Sequence, residues 1–174
     1  MNIVEKALVF ATAAHAAVGQ KRKYTGEDYI VHPVEVMQLV QSVPHDENML
    51  AASLMDDLVE DTEITVDLIR EQFGDDVANL VNWLTDVSRP EDGNRADRKA
   101  KDCAHTAAAP ARAKTIKLAD LISNSRSIGQ FDPSFWRIYK REKDALLAVL
   151  TEGDPMLYAQ ACQYVHKEKT NDSN

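Results

Sequence analysis

The sequence predicts an all-α fold in one compact domain, and three observations carry that expectation. Apolar residues recur at helical spacing along most of the chain, and almost no stretch alternates with period two. Asp, Thr, Pro and Gly stand where helices would begin and end. At 174 residues the chain is long enough to bury one real core.

The first helix runs along a stripe of Val4, Leu8, Ala11, His15 and Val18 and closes at Gly19. A polar loop occupies residues 20–32. Pro33 suits the first turn of a helix carrying Val34, Met37 and Val40, because the amide that proline lacks has no partner there. Asp46 is placed to cap a helix with Leu50, Leu54 and Leu58 on its inner stripe, ending near Glu60. Thr65 caps a helix that ends at Phe73-Gly74, and Asp75 opens another to about Val87. Residues 88–95, SRPEDGNR, form a loop by their Pro, Asp, Gly and Asn. An Ala-rich helix follows, broken near Pro110, and then a long one through Ile116, Ala119, Ile122 and Ser123. Asp132-Pro133 opens a helix through Leu150 that Gly153 ends, and Asp154-Pro155 opens a last one through Val165. The domain is therefore expected over 1–166, with 167–174, KEKTNDSN, as a flexible, frayed tail.

Composition narrows the function classes. Hydrophobic content of 44% and charged content of 28% are those of an ordinary soluble domain. The formal net charge of -8 argues against nucleic acid as a partner, although local basic clusters can still hold a small anion. Cys103 and Cys162 stand alone, so reduced thiols in a cytoplasmic protein are expected, and no zinc-thiolate site. The start, MNIVEKALVFATAAHAAVG, carries Glu5 and Lys6 and reads as an amphipathic helix and not as a leader. No apolar run approaches the ~20 residues of a membrane span, so no membrane partner is expected.

Two anomalies stand out. LMDDLVEDT packs Asp56, Asp57, Glu60 and Asp61 into one helix end beside apolar residues. If helical, Asp56 lies over Glu60, and Asp57 over Glu60 and Asp61, where like charges cost a few tenths of a kcal/mol per pair. Asp120 in TIKLADLISN shares a face with Ile116 and Asn124 and should point inward, where a carboxylate needs a partner or a cation. A salt bridge would be the default for Asp120 alone, and His32 alone at a helix entrance would be a structural hydrogen bonder. His15, on the apolar stripe, reads as a core histidine, and His45, His105 and His166 have no ligand pattern around them. Together, His32, the acidic quartet and Asp120 point to one metal site fed by three helices. Its oxygen-rich donors with a single imidazole favour Mn²⁺ or Mg²⁺ over Zn²⁺. The basic groups Lys21-Arg22-Lys23 and Arg95, Arg98, Lys99 and Lys101 would be solvated faces in isolation. Beside a cation that activates water they are the equipment for phosphate-ester hydrolysis.

Three blocks, AHAAVGQKRKYTGEDYIVHP, AASLMDDLVEDTEIT and AKTIKLADLISNSRSI, resemble in order and spacing the signature blocks of the SpoT/RelA-type hydrolase domain of the HD phosphohydrolase superfamily. They span residues 14–128, and the short chain is similar to the small alarmone hydrolases. The resemblance implies an all-α HD-type bundle and a Mn²⁺-dependent 3′-pyrophosphohydrolase, with Mg²⁺ the second choice, turning (p)ppGpp and water into GDP or GTP and pyrophosphate. It implies His32, Asp57 and Asp120 as metal ligands, with Asp56 beside them, and Glu60 and Asp61 as the pair that positions or deprotonates the attacking water. It likewise implies Arg22, Lys23, Tyr29 and Asn124 around the nucleotide, and Arg98 and Lys99 at its phosphates.

One position departs from the family pattern: Asp56 stands where the family block has the histidine that names it. Three carboxylates and one imidazole around a dication leave a net charge of about −1, which blunts the acidity of bound water and repels an anionic substrate. Two other readings remain open at this stage. One is hydrolysis of another phosphorylated nucleotide, an adenine alarmone or an NADPH-like substrate; the other is a non-catalytic nucleotide binder. Self-association into a homo-oligomer is left open as well.

Overall fold

The computed structural model describes residues 1–166, where every regular element is helical apart from an isolated antiparallel bridge between Lys21 and Asp28. In chain order these are α1 (Ile3–Ala17), α2 (Val31–Gln41), α3 (Glu47–Ser53), the single turn α4 (Leu58–Asp61), α5 (Val66–Phe73) and α6 (Asp75–Leu84). A 3₁₀ turn at Pro90–Asp92 leads into α7 (Arg95–Ala107), α8 (Ala111–Phe131), α9 (Pro133–Val149) and α10 (Pro155–His166). The all-α expectation holds. Residues 167–174, where the tail was expected, lie outside the described residues.

Local chemistry sets most of the boundaries. The Asp46, Thr65 and Asp132 side chains accept from the backbone N–H of Met49, Leu68 and Phe135, satisfying amides that the first turns of α3, α5 and α9 leave free. Asn94 and Asp97 form a reciprocal capping box at the start of α7. Gly74 ends α5 and starts α6 at φ 89°, a left-handed conformation that costs glycine nothing and a side-chain-bearing residue about 1–2 kcal/mol.

α8 is the spine. Ile116, Leu118, Ala119, Leu121 and Ile122 are all fully buried, so apolar residues cover most of its circumference, and α2, α6, α9 and α10 pack around it. Arg112 at its first turn bonds both Asp46 before α3 and Asp76 in α6, at 2.8–2.9 Å, tying three elements together at the surface.

Three expectations are corrected. The inner face of α1 is Ala7, Ala11 and His15, while Leu8 and Val18 are 37% and 48% exposed. The alanines let α1 approach α3 closely, and that contact turns the helix away from the stripe with larger side chains. The acidic quartet does not lie on one helix: α3 stops at Ser53, a turn covers residues 54–57, and α4 follows. That break buries the consecutive Leu54, Met55 and Asp56, which a straight helix would spread over most of its circumference. α6 stops at Leu84 and not near Val87, because Thr85 turns extended and the Asp102 carboxylate takes the Val87 and Ser88 amides at 3.0 and 2.8 Å.

Candidate metal and phosphate site

His32 sits in the first turn of α2 and is buried to 1% exposure. Its Nδ1 lies 2.9 Å from Ser123 Oγ, and the Ser123 hydroxyl itself donates to Glu35 Oε2 at 2.8 Å. Glu35 Oε1 in turn accepts from Arg126 Nη1 at 2.9 Å. The serine proton is thereby committed, so Nδ1–H must donate to Ser123. In a neutral imidazole this leaves Nε2 as a bare lone pair. That lone pair faces Asp120 Oδ1 at 3.1 Å and Asp57 Oδ2 at 3.7 Å. A lone pair against carboxylate oxygens is repulsive unless a proton or a cation lies between them.

The break before α4 delivers the other acids. Asp57 Oδ2 accepts from the Tyr29 hydroxyl at 2.7 Å, and Asp120 Oδ1 accepts from Asn124 Nδ2 at 2.7 Å. Asp56 is 4% exposed and its Oδ1 has no hydrogen-bond partner. Burial, and then the charges of Asp57 and Asp120, push the Asp56 carboxyl well above the usual carboxylate range. Burial also raises Asp57, against the pull of His32. Asp120 goes the other way: burial opposes its charge, but the hydrogen bond that a proton on His32 Nε2 makes to it, and then the charge of Lys117, hold it well below the ordinary value.

These groups open onto a cavity of about 190 Å³. Asp57, Glu60, Asp120 and Asn124 line it, together with Lys99, Lys117 and Lys143. Glu60 Oε1 accepts from the Asp86 amide at 2.6 Å, and burial followed by the Asp86 charge pushes its carboxyl up to about 7. Lys117 Nζ donates to the Leu84 carbonyl at 3.2 Å, and the surrounding carboxylates keep it charged against the cost of burial. Lys99 pairs with Asp86 at 2.9 Å. Burial lowers Lys143 to about 8.

His32, Asp56, Asp57, Asp120, Tyr29, Glu60, Asn124 and Lys99 of the sequence-predicted set are therefore brought together or to the cavity wall. Others stand apart. Asp61 is exposed and accepts from Gln20 Nε2 at 2.8 Å outside the cavity. Arg98 lines a neighbouring depression with Arg89, Arg95 and Lys99. Arg22 reaches Ser127 Oγ at 3.1 Å with its guanidinium 5.9 Å from the Tyr29 ring centre, and exposed Lys23 is 4.0 Å from Asp132. Sequence reasoning assigned no role to Ser123, Glu35, Lys117 or Lys143. Lys117 had a signal, one helical turn before Asp120 in an otherwise apolar run; Lys143 in KREKDA had none.

Set beside known proteins, residues 7–154 match the HD-domain family over most of the chain. The chain is an HD-domain protein. This HD domain is 34% identical over 151 residues to a probable guanosine-3′,5′-bis(diphosphate) 3′-pyrophosphohydrolase of Synechocystis, and 32% identical over 143 residues to a protein of that activity from Aquifex aeolicus. It is also 33% identical over 151 residues to a probable GTP pyrophosphokinase of Mycobacterium leprae. These matches take in 85%, 82% and 86% of this chain, which spans only about a fifth of the relatives, at 20%, 19% and 19% of their lengths. Among solved structures, a metazoan orthologue of SpoT described as hydrolysing ppGpp superimposes with a TM-score of 0.82 at 27% identity, covering 94% of each chain. The resemblance of the three blocks to SpoT/RelA-type domains is thus borne out.

HD-domain hydrolases are in general metal-dependent. The donor chemistry here fits a hard dication: an unpartnered buried carboxylate oxygen on Asp56, and the His32 lone pair aimed at two carboxylates. Among the described residues no three acid, imidazole or thiol groups converge on one point, and the donors meet in pairs. Asp57 is drawn toward Tyr29, and Asp120 closes directly on His32.

Proposed function

We propose that this HD domain is a guanosine-3′,5′-bis(diphosphate) 3′-pyrophosphohydrolase, adding water across the 3′ P–O bond of (p)ppGpp to release pyrophosphate and GDP or GTP. The observation that carries the reading is the His32–Asp57–Asp120 cluster, whose two aspartates line a cavity shared with Lys99, Lys117 and Lys143. It is supported by the extent of the likeness to the ppGpp-hydrolysing SpoT orthologue.

His32, Asp57 and Asp120 would hold the dication, with the Asp56 carboxylate beside them, and Mn²⁺ suits three carboxylates and one imidazole better than Zn²⁺. The dication would supply Lewis acidity at the phosphorus and charge neutralisation. Ser123, backed by Glu35, fixes the imidazole tautomer that leaves Nε2 free for that duty. Glu60 is the group suited to take the proton of the attacking water, since a carboxylate at about 7 both accepts and releases it near neutral pH. Asn124 reaches Asp120 and lines the cavity, where its amide can also meet the nucleoside. Arg22 and Tyr29 stand together at the adjoining loop and would contact the nucleotide.

The non-catalytic alternative has one observation in its favour: Asp56 adds a third buried carboxylate to the cluster. The deciding assay is release of pyrophosphate from ppGpp with Mn²⁺ present, run beside ppGpp binding in the same buffer. Release that Asp57→Asn abolishes is the expected result. Binding without release would leave a nucleotide-binding protein, and absence of both would overturn the reading.

A further inference from the structure

Lys143 has no function in the account above. It projects from α9 into the cavity, with Nζ 4.8 Å from the centre of the Tyr139 ring one turn earlier. The other charged groups that line the cavity are committed. Lys99 bonds Asp86, Lys117 bonds the Leu84 carbonyl, and the neighbouring Glu142 accepts two hydrogen bonds from Arg95 at 2.6 and 3.0 Å. Asp144 pairs with His166 outside the cavity. Asp57 and Asp120 have Tyr29, Asn124 and His32. Among the described residues Lys143 Nζ has no carboxylate oxygen within 4.0 Å and no hydrogen-bond acceptor within 3.5 Å. Asp57 and Asp120 line the same cavity as the ammonium.

A sheltered ammonium holds three donors and a full charge, and leaving them unmatched is costly unless an anion arrives. A phosphate group supplies several acceptor oxygens and opposite charge, and the cavity of about 190 Å³ leaves room for such a group beside the acids. We propose that Lys143 is a phosphate-binding residue that holds the non-bridging oxygens of the diphosphate group departing as pyrophosphate. The assignment rests on the phosphate-ester reading of the site. It would also offset the surplus negative charge that Asp56 brings to the cluster. Placed there, the ammonium steadies charge that builds on the departing diphosphate as the 3′ P–O bond breaks.

The test is calorimetric titration of inorganic pyrophosphate, and separately of GDP, into the parent protein, Lys143→Met and Lys143→Arg, each first shown to melt cooperatively. Lys143→Gln serves should the Met variant fail to fold. The expected result is a loss of pyrophosphate affinity of about tenfold or more in the uncharged variants, the scale of one charge-assisted bond. GDP binding should stay nearly unchanged, and Lys143→Arg should recover most of the loss. Equal pyrophosphate binding by parent and uncharged variants would overturn the proposal. So would a parent that binds no pyrophosphate, or variants that lose GDP and keep pyrophosphate, which would move Lys143 to the 5′ side. A parent that binds pyrophosphate through Lys143 but releases none from ppGpp would overturn the proposed activity alone.

Discussion

Replacing Asp56 by Asn isolates what the cluster demands. The Asp56 carboxyl is buried, one oxygen has no hydrogen-bond partner, and Asp57 and Asp120 bear on it. Asn keeps the shape, removes the charge and adds an NH₂ that can donate to the neighbouring carboxylates. A buried unsatisfied polar group costs about 1–3 kcal/mol, more when charged. A chain of this size melts ~2–4 °C higher per kcal/mol, so Asp56→Asn should raise the melting temperature of metal-free protein by about 3–10 °C at pH 7. The sign with pH follows from the raised folded-state value of Asp56. The native state holds a proton that the unfolded chain releases, so its stability falls as pH climbs from the ordinary carboxylate range through the raised value. Asn carries no such dependence, so its advantage should grow from pH 5 to pH 8. With Mn²⁺ bound the advantage should shrink or reverse, because the orphan oxygen then has a partner. The assay is thermal melting of both proteins across pH, with EDTA and with Mn²⁺ or Zn²⁺. An Asn variant no more stable than the parent in EDTA would refute the reasoning, and parent curves insensitive to EDTA and Mn²⁺ would remove the metal from it.

Three further outcomes are expected. Asp56→His brings the donor set back toward neutrality, and should raise Mn²⁺-dependent pyrophosphate release from ppGpp by about tenfold or more, that is by ~1.4 kcal/mol of barrier; an unchanged or slower rate would make Asp56 a working ligand of a differently tuned site. Arg22→Ala loses the bond to Ser127 and the contact with the Tyr29 ring, but Arg22 is only half-buried, so the fold should persist while ppGpp affinity falls by about 1–3 kcal/mol, read by calorimetry. Arg112→Ala removes the clamp on Asp46 and Asp76 and should cost about 0.5–1.5 kcal/mol at neutral pH, after allowing for solvent screening at these half-exposed groups. Its hydrogen bond lowers Asp76 to about 2, so that contribution is present above the ordinary carboxylate value and is lost as pH falls toward 2; denaturant titrations of both proteins should converge there.

Much of the site was legible in the chain because its chemistry is locally improbable. Asp120 in an apolar helix, and four acids at one apolar segment, each need a compensating partner wherever the fold places them. The error in that reading was geometrical. One continuous helix would have stacked Asp56, Asp57, Glu60 and Asp61, whereas the turn at residues 54–57 sends Asp56 inward and leaves Asp61 outside with Gln20. Lys143 was invisible because KREKDA reads as a solvated face, and only the packing of α9 against α7 and α8 puts one of its cations in the cavity.

The helical class, the caps at Asp46, Thr65 and Asp132 and the inward turn of Asp120 were determined by the sequence itself. Helix periodicity, capping and the cost of a buried charge act over a few residues and need no distant partner. The tertiary structure alone decided which acids meet His32, that Ser123 and Glu35 set its tautomer, and that Lys99, Lys117 and Lys143 reach the same cavity. Those outcomes depend on contacts between residues 88 or 91 positions apart, as in His32 with Asp120 and Ser123. No local propensity encodes such a distance; only the close packing of α2 and α9 against α8 does.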